Sequence, residues 1–363
     1  KLLIWGNNDD FEAMPFANIG QPYNTLGVAF SNRHYYPRLG ALGRNFNYQE
    51  TEDINYYNVA TPISDLMFKT TLEQGQLLDA LLTFNVKRKL NLSIGFKGFR
   101  SLGKYQFNQT QSGNFKTSFN YTTENNRYSI RGHIAAQDLE AEENGGLANR
   151  EQFENDPEGD FTDRGRVDVL FTNANNRILG KRYYFDHQLL LLGAKRDSSI
   201  TKKSGVKVGH EFMYETKLYE FLQSSPDDTF GNDTFSSPIA DKARLKTMFN
   251  RVSLEFLNKS FGSISGYASF YNYNYFFNSL LITETGTVEN QLEGNEIAVG
   301  GRYYNQFGNL ELKGDVNYTL SGELTGNALN ATATYQINEN NALSGGIYFS
   351  SRLPNFNYLL YQS

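Results

Sequence analysis

The sequence predicts an all-β chain, an antiparallel transmembrane β-barrel of the outer-membrane type with about 14 to 16 strands. Three observations carry that expectation. Apolar residues recur with a two-residue period almost everywhere, which is the side-chain repeat of a strand and of no helix. The face opposite each apolar row is charged or amide-bearing, so two different solvents are implied. Composition agrees: hydrophobic residues make up only 39% of 363 residues and mean hydropathy is −0.54, yet aromatics reach 15%, with 28 Phe and 24 Tyr. A disordered chain does not carry that aromatic load. The longest apolar run, Leu189 to Leu192, is far too short for a membrane-crossing helix.

The strand elements follow in chain order. Leu90, Leu92, Ile94 and Phe96 oppose Asn91, Ser93 and Lys97, and Phe115, Thr117, Phe119 and Tyr121 oppose Lys116, Ser118, Asn120 and Thr122. Val206, Val208, Phe212 and Tyr214 oppose Lys207, Glu211 and Glu215, with His210 the one polar intruder on the apolar side. Leu310, Leu312, Gly314, Val316 and Tyr318 oppose Glu311, Lys313, Asp315, Asn317 and Thr319, and Leu329 to Ile337 repeats the design. Runs such as 206–218, 310–320 and 327–337 hold 11 to 13 alternating residues. Strands of soluble sandwiches and propellers usually stop at ~5 or 6, so length favours the membrane barrel. Aromatic clusters at run ends, Tyr183 to Phe185, Tyr271 to Phe277 and Tyr303 with Tyr304, read as interfacial girdles.

Glu124-Asn125-Asn126, Phe307-Gly308-Asn309 and Asn338 to Asn341 are tight-turn signals. Between other runs come long polar connections at 138–163 and 224–241, and another at 33–55. Short connections alternating with long ones predict two unequal rims on a single barrel domain spanning residues 1–363, preceded by a lead-in at 1–22. No plug domain is apparent ahead of the barrel.

Catalytic chemistry finds little support. The chain has no Cys and only His34, His133, His187 and His210, without a G-x-S-x-G elbow or an H-E-x-x-H pair, so neither an enzyme nor a bound metal is expected. The acidic stretch around Asp156 and Asp160 lacks the spacing of a calcium loop and reads as solvated. No cofactor is implied.

Charge is segregated along the chain. From Lys87 to Arg131 nine basic residues meet one acidic residue, Glu124, giving +8; from Asp138 to Asp163 ten acidic residues meet one basic residue, Arg150, giving −9. With the chain at −5 overall and no supporting motif, nucleic acid is not an expected partner. Alternation turns Lys97, Lys116 and Arg131 away from the lipid face as a basic stripe on the lumen wall. Lys207, Glu211, Glu215, Glu311, Lys313 and Asp315 are further pore-lining candidates of mixed sign. Glu142, Glu143, Asp156 and Asp160 belong to the acidic connection, expected to fold over the mouth and pair with the stripe.

Particular strings resemble the outer-membrane porin family of Bacteroidetes-type, Gram-negative bacteria. The segment NIGQPYNTLGVAF at Asn18 to Phe30 is similar to the opening of that family's barrel, where an Asn-x-Gly turn precedes the first strand. YNVATPISDLMFKTTLEQ at Tyr57 to Gln74 resembles its second block, and ENGGL at Glu143 to Leu147 a third. The resemblance implies an outer-membrane β-barrel facing lipid, with any export signal already removed or outside this chain. The expected function is a passive diffusion channel for small polar or anionic solutes. The alternative is a non-conducting structural or docking barrel subunit, partnered with other outer-membrane proteins in a secretion or nutrient-uptake complex. The chain ends at Tyr358 to Ser363, which reads as mid-strand or just after a turn at Pro354-Asn355, so the last strands of the barrel are expected beyond it.

Overall fold

A computed structural model of the chain describes residues 3–4, 7–8, 13–27, 34–41, 47–71, 74–193, 204–226 and 238–361. Thirteen strands form one antiparallel sheet in strict sequence order: β1 Ile63–Thr71, β2 Gly75–Lys87, β3 Leu90–Ser101, β4 Thr110–Thr122, β5 Tyr128–Glu143, β6 Ala174–Gly193 and β7 Gly205–Gln223, followed by β8 Ile239–Asn258, β9 Gly262–Phe277, β10 Gln291–Phe307, β11 Leu310–Ser321, β12 Asn327–Asn338 and β13 Asn341–Ser351. β1 and β13 are its two edges and do not pair with each other among the described residues. Among the described residues this sheet has thirteen strands against the 14 to 16 expected, and its members are longer than a single membrane crossing requires; β6 and β8 reach 20 residues each.

The two rims are unequal, as alternation of turn signals predicts. At one rim the fully described connections are 88–89, 123–127, 259–261, 308–309 and 339–340, and the predicted tight turns lie here. Asn126 (φ 53°) and Gly308 (φ 56°) take the left-handed conformation that these short hairpins need. At the other rim lie 102–109, 144–173, 278–290 and 322–326. The long connections are displaced from the bounds the sequence suggested, the first running over 144–173 rather than 138–163. The stretch from Asp138 to Glu143 extends β5, so Glu142 and Glu143 sit on a strand end, and β8 begins at Ile239. Within the predicted 224–241 loop, residues 227–237 lie outside the described residues.

The extra strand length has a physical signature, an exchange of polarity between faces along one strand. In β8 the outward residues Val252, Leu254 and Phe256 are exposed and apolar near the short-turn rim, whereas Lys242, Arg244 and Lys246 point outward near the other rim. Inward residues do the reverse: Arg251 and Glu255 lie below, and Ile239, Ala243 and Leu245 are buried above. β5 to β9 share the exchange, at Ala135, Arg182, Glu215, Thr247 and Tyr273, which are ladder partners in register. Below that level the wall meets an apolar medium outside and polar groups inside; above it the arrangement is that of a water-soluble β-protein. On β6 the eight steps from Tyr183 to Leu191 rise ~26 Å along the strand at ~3.3 Å per residue, close to the ~25 Å apolar band of membrane barrels.

This exchange corrects one expected girdle. Tyr183 and Phe185 do face outward, but Tyr271, Tyr273, Tyr275 and Phe277 point inward on β9 and form the main buried cluster with Leu39, Leu245 and Phe356. His210, the intruder on the lipid side, has company there. Tyr128, His187, His210 and Asn250 on four adjacent strands form a hydrogen-bonded row, with 3.1 Å between His187 Nε2 and His210 Nδ1. Polar groups in an apolar band are expected to satisfy one another in this way.

Candidate functional site

The inward face is not an empty trough. Two stretches without regular sheet pairing lie on it: a strap whose described residues are 34–41 and 47–58, and the tail at 353–361 that follows β13. No periodicity predicts either, because their backbones are held by side chains rather than by a ladder.

Ahead of the strap, the Asn-Ile-Gly-Gln string clips onto the long-loop rim. Asn18 is buried; its Nδ2 donates to the carbonyls of Asn108 (2.6 Å) and Ser101 (3.3 Å), and its Oδ1 accepts from Ser101 Oγ (2.7 Å). Gly20 (φ +84°) lies flat on the Phe99 ring, where a Cβ would collide with a ring carbon. The Asn-x-Gly turn therefore anchors a lead-in. It joins two short paired strands, Ala13–Pro15 and Tyr23–Thr25, which stand apart from the thirteen-stranded sheet whose first strand starts at Ile63; the end of that opening block, Val28 to Phe30, lies outside the described residues, as do Leu72 and Glu73 of the second block.

From there the strap crosses the interior from one rim to the other. Tyr35 Oη donates to the Gly326 carbonyl (2.7 Å) and meets Thr319 Oγ1 of β11, while Tyr36 stacks on Tyr271 of β9 with ring centroids 3.9 Å apart. Gln49 and Gln137 of β5 exchange two bonds: Gln49 N–H donates to Oε1 (2.7 Å) and Gln137 Nε2 donates to the Gln49 carbonyl (2.9 Å). Lower down, Tyr56 Oη lies 2.7 Å from His133 Nδ1, and Asn85 of β2 donates to Asn58. The tail closes the upper part. Phe356 is fully buried, stacked on Tyr275, and its N–H donates to the Arg38 carbonyl (2.9 Å). Phe356–Leu359 form a short helical turn just after Pro354-Asn355.

A charged lock sits at mid-height. Glu50 takes Lys217 Nζ at 2.9 Å, Arg38 Nη2 at 2.6 Å and Arg182 Nη1 at 3.5 Å. Arg182, wholly buried, also donates to Glu215 (2.9 Å), to His133 Nε2 (3.1 Å) and to the Gln49 carbonyl (2.7 Å). Tyr48 donates to Glu215 (2.9 Å) under the Lys217 ammonium and rests on Gly180, where a Cβ would collide with Tyr48 Oη. Burial works against the Glu50 carboxylate, but Lys217, Arg38 and Arg182 outweigh it and hold its pKa down at about 2. The arrangement can fix an irregular segment in a polar interior, because each buried charge has partners on both strap and wall.

All nine pore-lining candidates point inward. Lys97 pairs with Asp79 (3.6 Å), Lys116 donates to Gln49 Oε1 (3.4 Å), and Arg131 pairs with Asp186 (2.8 Å) and covers the Tyr56 ring. Lys207 pairs with Glu255 (2.9 Å), Glu211 with Arg251, and Glu311 with Lys313 (2.6 Å), while Asp315 accepts from Arg302 (3.1 Å). The basic stripe thus finds its counterparts on the wall and the strap. The acidic connection was expected to supply them, but Asp156 spends both carboxylate oxygens on the Asp160 and Phe161 N–H groups and Asp160 is exposed. Glu142 accepts from Gln109 N–H (2.9 Å) and Glu143 from Asn176. Glu50, Arg182 and Tyr48 are the residues that sequence reasoning missed. Arg182 left one signal, a lone Arg alternating with Tyr183 and Lys181 onto the inner side of a long strand.

Between the strap and β7 to β11 a cleft of about 280 Å³ remains, lined by Glu50, Glu211, Lys217, Arg251, Phe249 and Asn317 among others. An inward polar wall, an outward apolar band, long strands in meander order and unequal rims are together the features of an outer-membrane barrel wall. No curated protein matches the chain. A family model described as "Putative porin" matches residues 5–363, nearly its whole length, and the chain belongs to that porin family.

Proposed function

We propose that the chain forms the wall of a porin-like outer-membrane pore through which small polar solutes diffuse passively, by the cleft left between the strap and β7 to β11. The observation that supports this reading best is the cleft itself, a space with charged groups such as Glu50, Glu211, Lys217 and Arg251 on its walls beside the strap. Charges along it, Lys217 with Glu50 and Arg251 with Glu211, are of both signs and are paired, which favours neutral or weakly charged solutes over a strongly single-sign pore. Any anion preference rests on Lys97 and Lys116 on the inner face of β3 and β4. The reading needs no catalytic group, metal or cofactor.

Liposome swelling with a graded series of polyols and sugars tests it. Expected is flux that falls steeply with solute size, and a shift toward cation preference in single-channel recordings of Lys97→Glu with Lys116→Glu. The occupied interior favours a second reading, a non-conducting docking barrel. Absence of flux for every solute, in wild type and in a Glu50→Gln variant with a loosened strap, would replace the first reading with the second.

A further inference from the structure

On the outer face of β6 to β8, directly above the apolar band, three cations stand together. Lys181 of β6, Thr216 of β7 and Lys246 of β8 are ladder partners in register, one residue above the level at which the faces exchange polarity. Arg244 lies two residues further up β8, opposite Leu218. Strand spacing of ~4.8 Å and a rise of ~3.3 Å per residue put the two lysine backbones ~10 Å apart, with Arg244 ~7 Å above Lys246. All three side chains are exposed. Other cations on this outer wall are neutralised: Arg177 pairs with Asp138 (2.5 Å) and Lys242 with Glu220 (3.0 Å). Lys181, Arg244 and Lys246 make no ion pair among the described residues, and Arg244 only covers the Phe276 ring. In the lysine row, Glu293 of β10 stands two strands beyond Lys246 and accepts from Asn274 Nδ2 and Gln291 Nε2 (2.8 Å each). Immediately below the lysines, Tyr183 and Tyr214 are exposed ladder partners at the edge of the apolar band.

We propose that this patch binds the phosphate headgroup of an anionic membrane lipid, whose acyl chains lie against Tyr183, Tyr214 and the stacked Phe185–Phe212 pair beneath it. Level and charge together select this occupant. Amphipathic tyrosines mark the boundary between hydrocarbon and headgroups, and lysine stems run along an apolar wall while their ammonium groups stay at that boundary. Clustered cations at this depth gain their counter-charge from anionic headgroups. A zwitterionic headgroup cancels its own phosphate and leaves the three charges unanswered. A free anion would meet them through salt that screens over ~8 Å, with nothing to place against the apolar wall below. The proposal rests on the outward apolar band and stands whether or not the barrel conducts.

Native mass spectrometry of the full chain in neutral detergent, titrated with phosphatidic acid or phosphatidylcholine of the same acyl chains, tests the proposal. Each cation at a membrane surface contributes ~5-fold to the binding of an anionic lipid, so a preference for phosphatidic acid on the order of 100-fold is expected. Lys181→Gln with Lys246→Gln should reduce it to ~5-fold. Lys104→Gln with Lys259→Gln, exposed on connections away from the patch, makes the same charge change and should leave the preference within about threefold of wild type. Equal affinity for the two lipids, a double patch variant that keeps the wild-type preference, an equal loss in the connection variant, or displacement of phosphatidic acid by equimolar inorganic phosphate would each overturn it. Cross-linking of the wild-type chain by a phosphatidic acid with a photoreactive group beside its phosphate locates the site without any variant. Adducts should concentrate on 179–183, 214–218 and 244–248, and adducts confined to other strands would contradict the assignment.

Discussion

Replacing Glu50 by Gln removes one of two carboxylates from a cluster that also holds Arg38, Arg182 and Lys217, so its formal charge goes from +1 to +2. Breaking a fully buried pair costs ~3–5 kcal/mol, and exposed pairs contribute ~0–1. The Glu50 side chain is 23% exposed and Glu215 still neutralises Arg182, so about 2 kcal/mol is expected here. That energy holds the strap against the wall rather than holding the sheet together, whose ladder is untouched. The strap-released population should therefore rise ~30-fold while the barrel stays folded. Because the chain has no Cys, a single Thr51→Cys reports on the strap without background. Maleimide labelling of that thiol, under conditions where opening limits the rate of modification by its equilibrium, should run ~30-fold faster with Glu50→Gln than without it. Equal rates within twofold, with the sheet intact by circular dichroism, would refute the idea that this cluster is what fastens the strap.

The same geometry sets three further outcomes. Gly180→Ala places a methyl where Tyr48 Oη rests and should free the reporter thiol of Thr51→Cys as effectively as Glu50→Gln, whereas Gly266→Ala, whose Cβ meets nothing within 4 Å, should not. Val252→Arg puts a charge in the outward apolar band and should lower stability in folding titrations by ~2–4 kcal/mol, while Lys246→Glu, outward but above the band, should change it by less than ~1 kcal/mol. The Glu50 carboxyl is held down at about 2, so its contribution to holding the strap is complete above the ordinary carboxylate value of 4.5 and is lost as pH falls from there toward 2; pepsin cleavage within 47–58 should rise over that interval in wild type and rise much less in Glu50→Gln.

The wall was legible in the sequence because a strand with two solvents writes itself as alternation. Lys97, Lys116 and Arg131 share the inner face, and Glu311, Lys313 and Asp315 do the same on β11. What hid the rest is also physical. Residues 34–58 have no period, since Tyr48, Gln49 and Glu50 are held by partners far away in the chain, at Gln137, Arg182, Glu215 and Lys217. The polarity exchange was present in the text of β8, where Ile239, Ala243 and Leu245 occupy odd positions and Val252, Leu254 and Phe256 even ones. A reading that assigns one face to lipid along a whole strand turns Tyr271 to Phe277 into a girdle; strands that rise beyond the membrane turn them into core. The acidic stretch misled for a related reason, because its first residues, Asp138 and Glu140, are outward groups on the protruding part of β5, where Asp138 pairs with Arg177 and Glu140 accepts from Gln111.

The strap lying inside the wall is the feature on which everything else depends, and proximity in native membranes measures it directly. With Gln49→Cys and Gln137→Cys in the otherwise cysteine-free chain, a short thiol cross-linker should join the two positions within one molecule, at a yield well above that of Gln49→Cys with Lys246→Cys on the outer face. No intramolecular product, together with a thiol at position 49 that reacts as fast as one placed at the exposed Glu158, would contradict it.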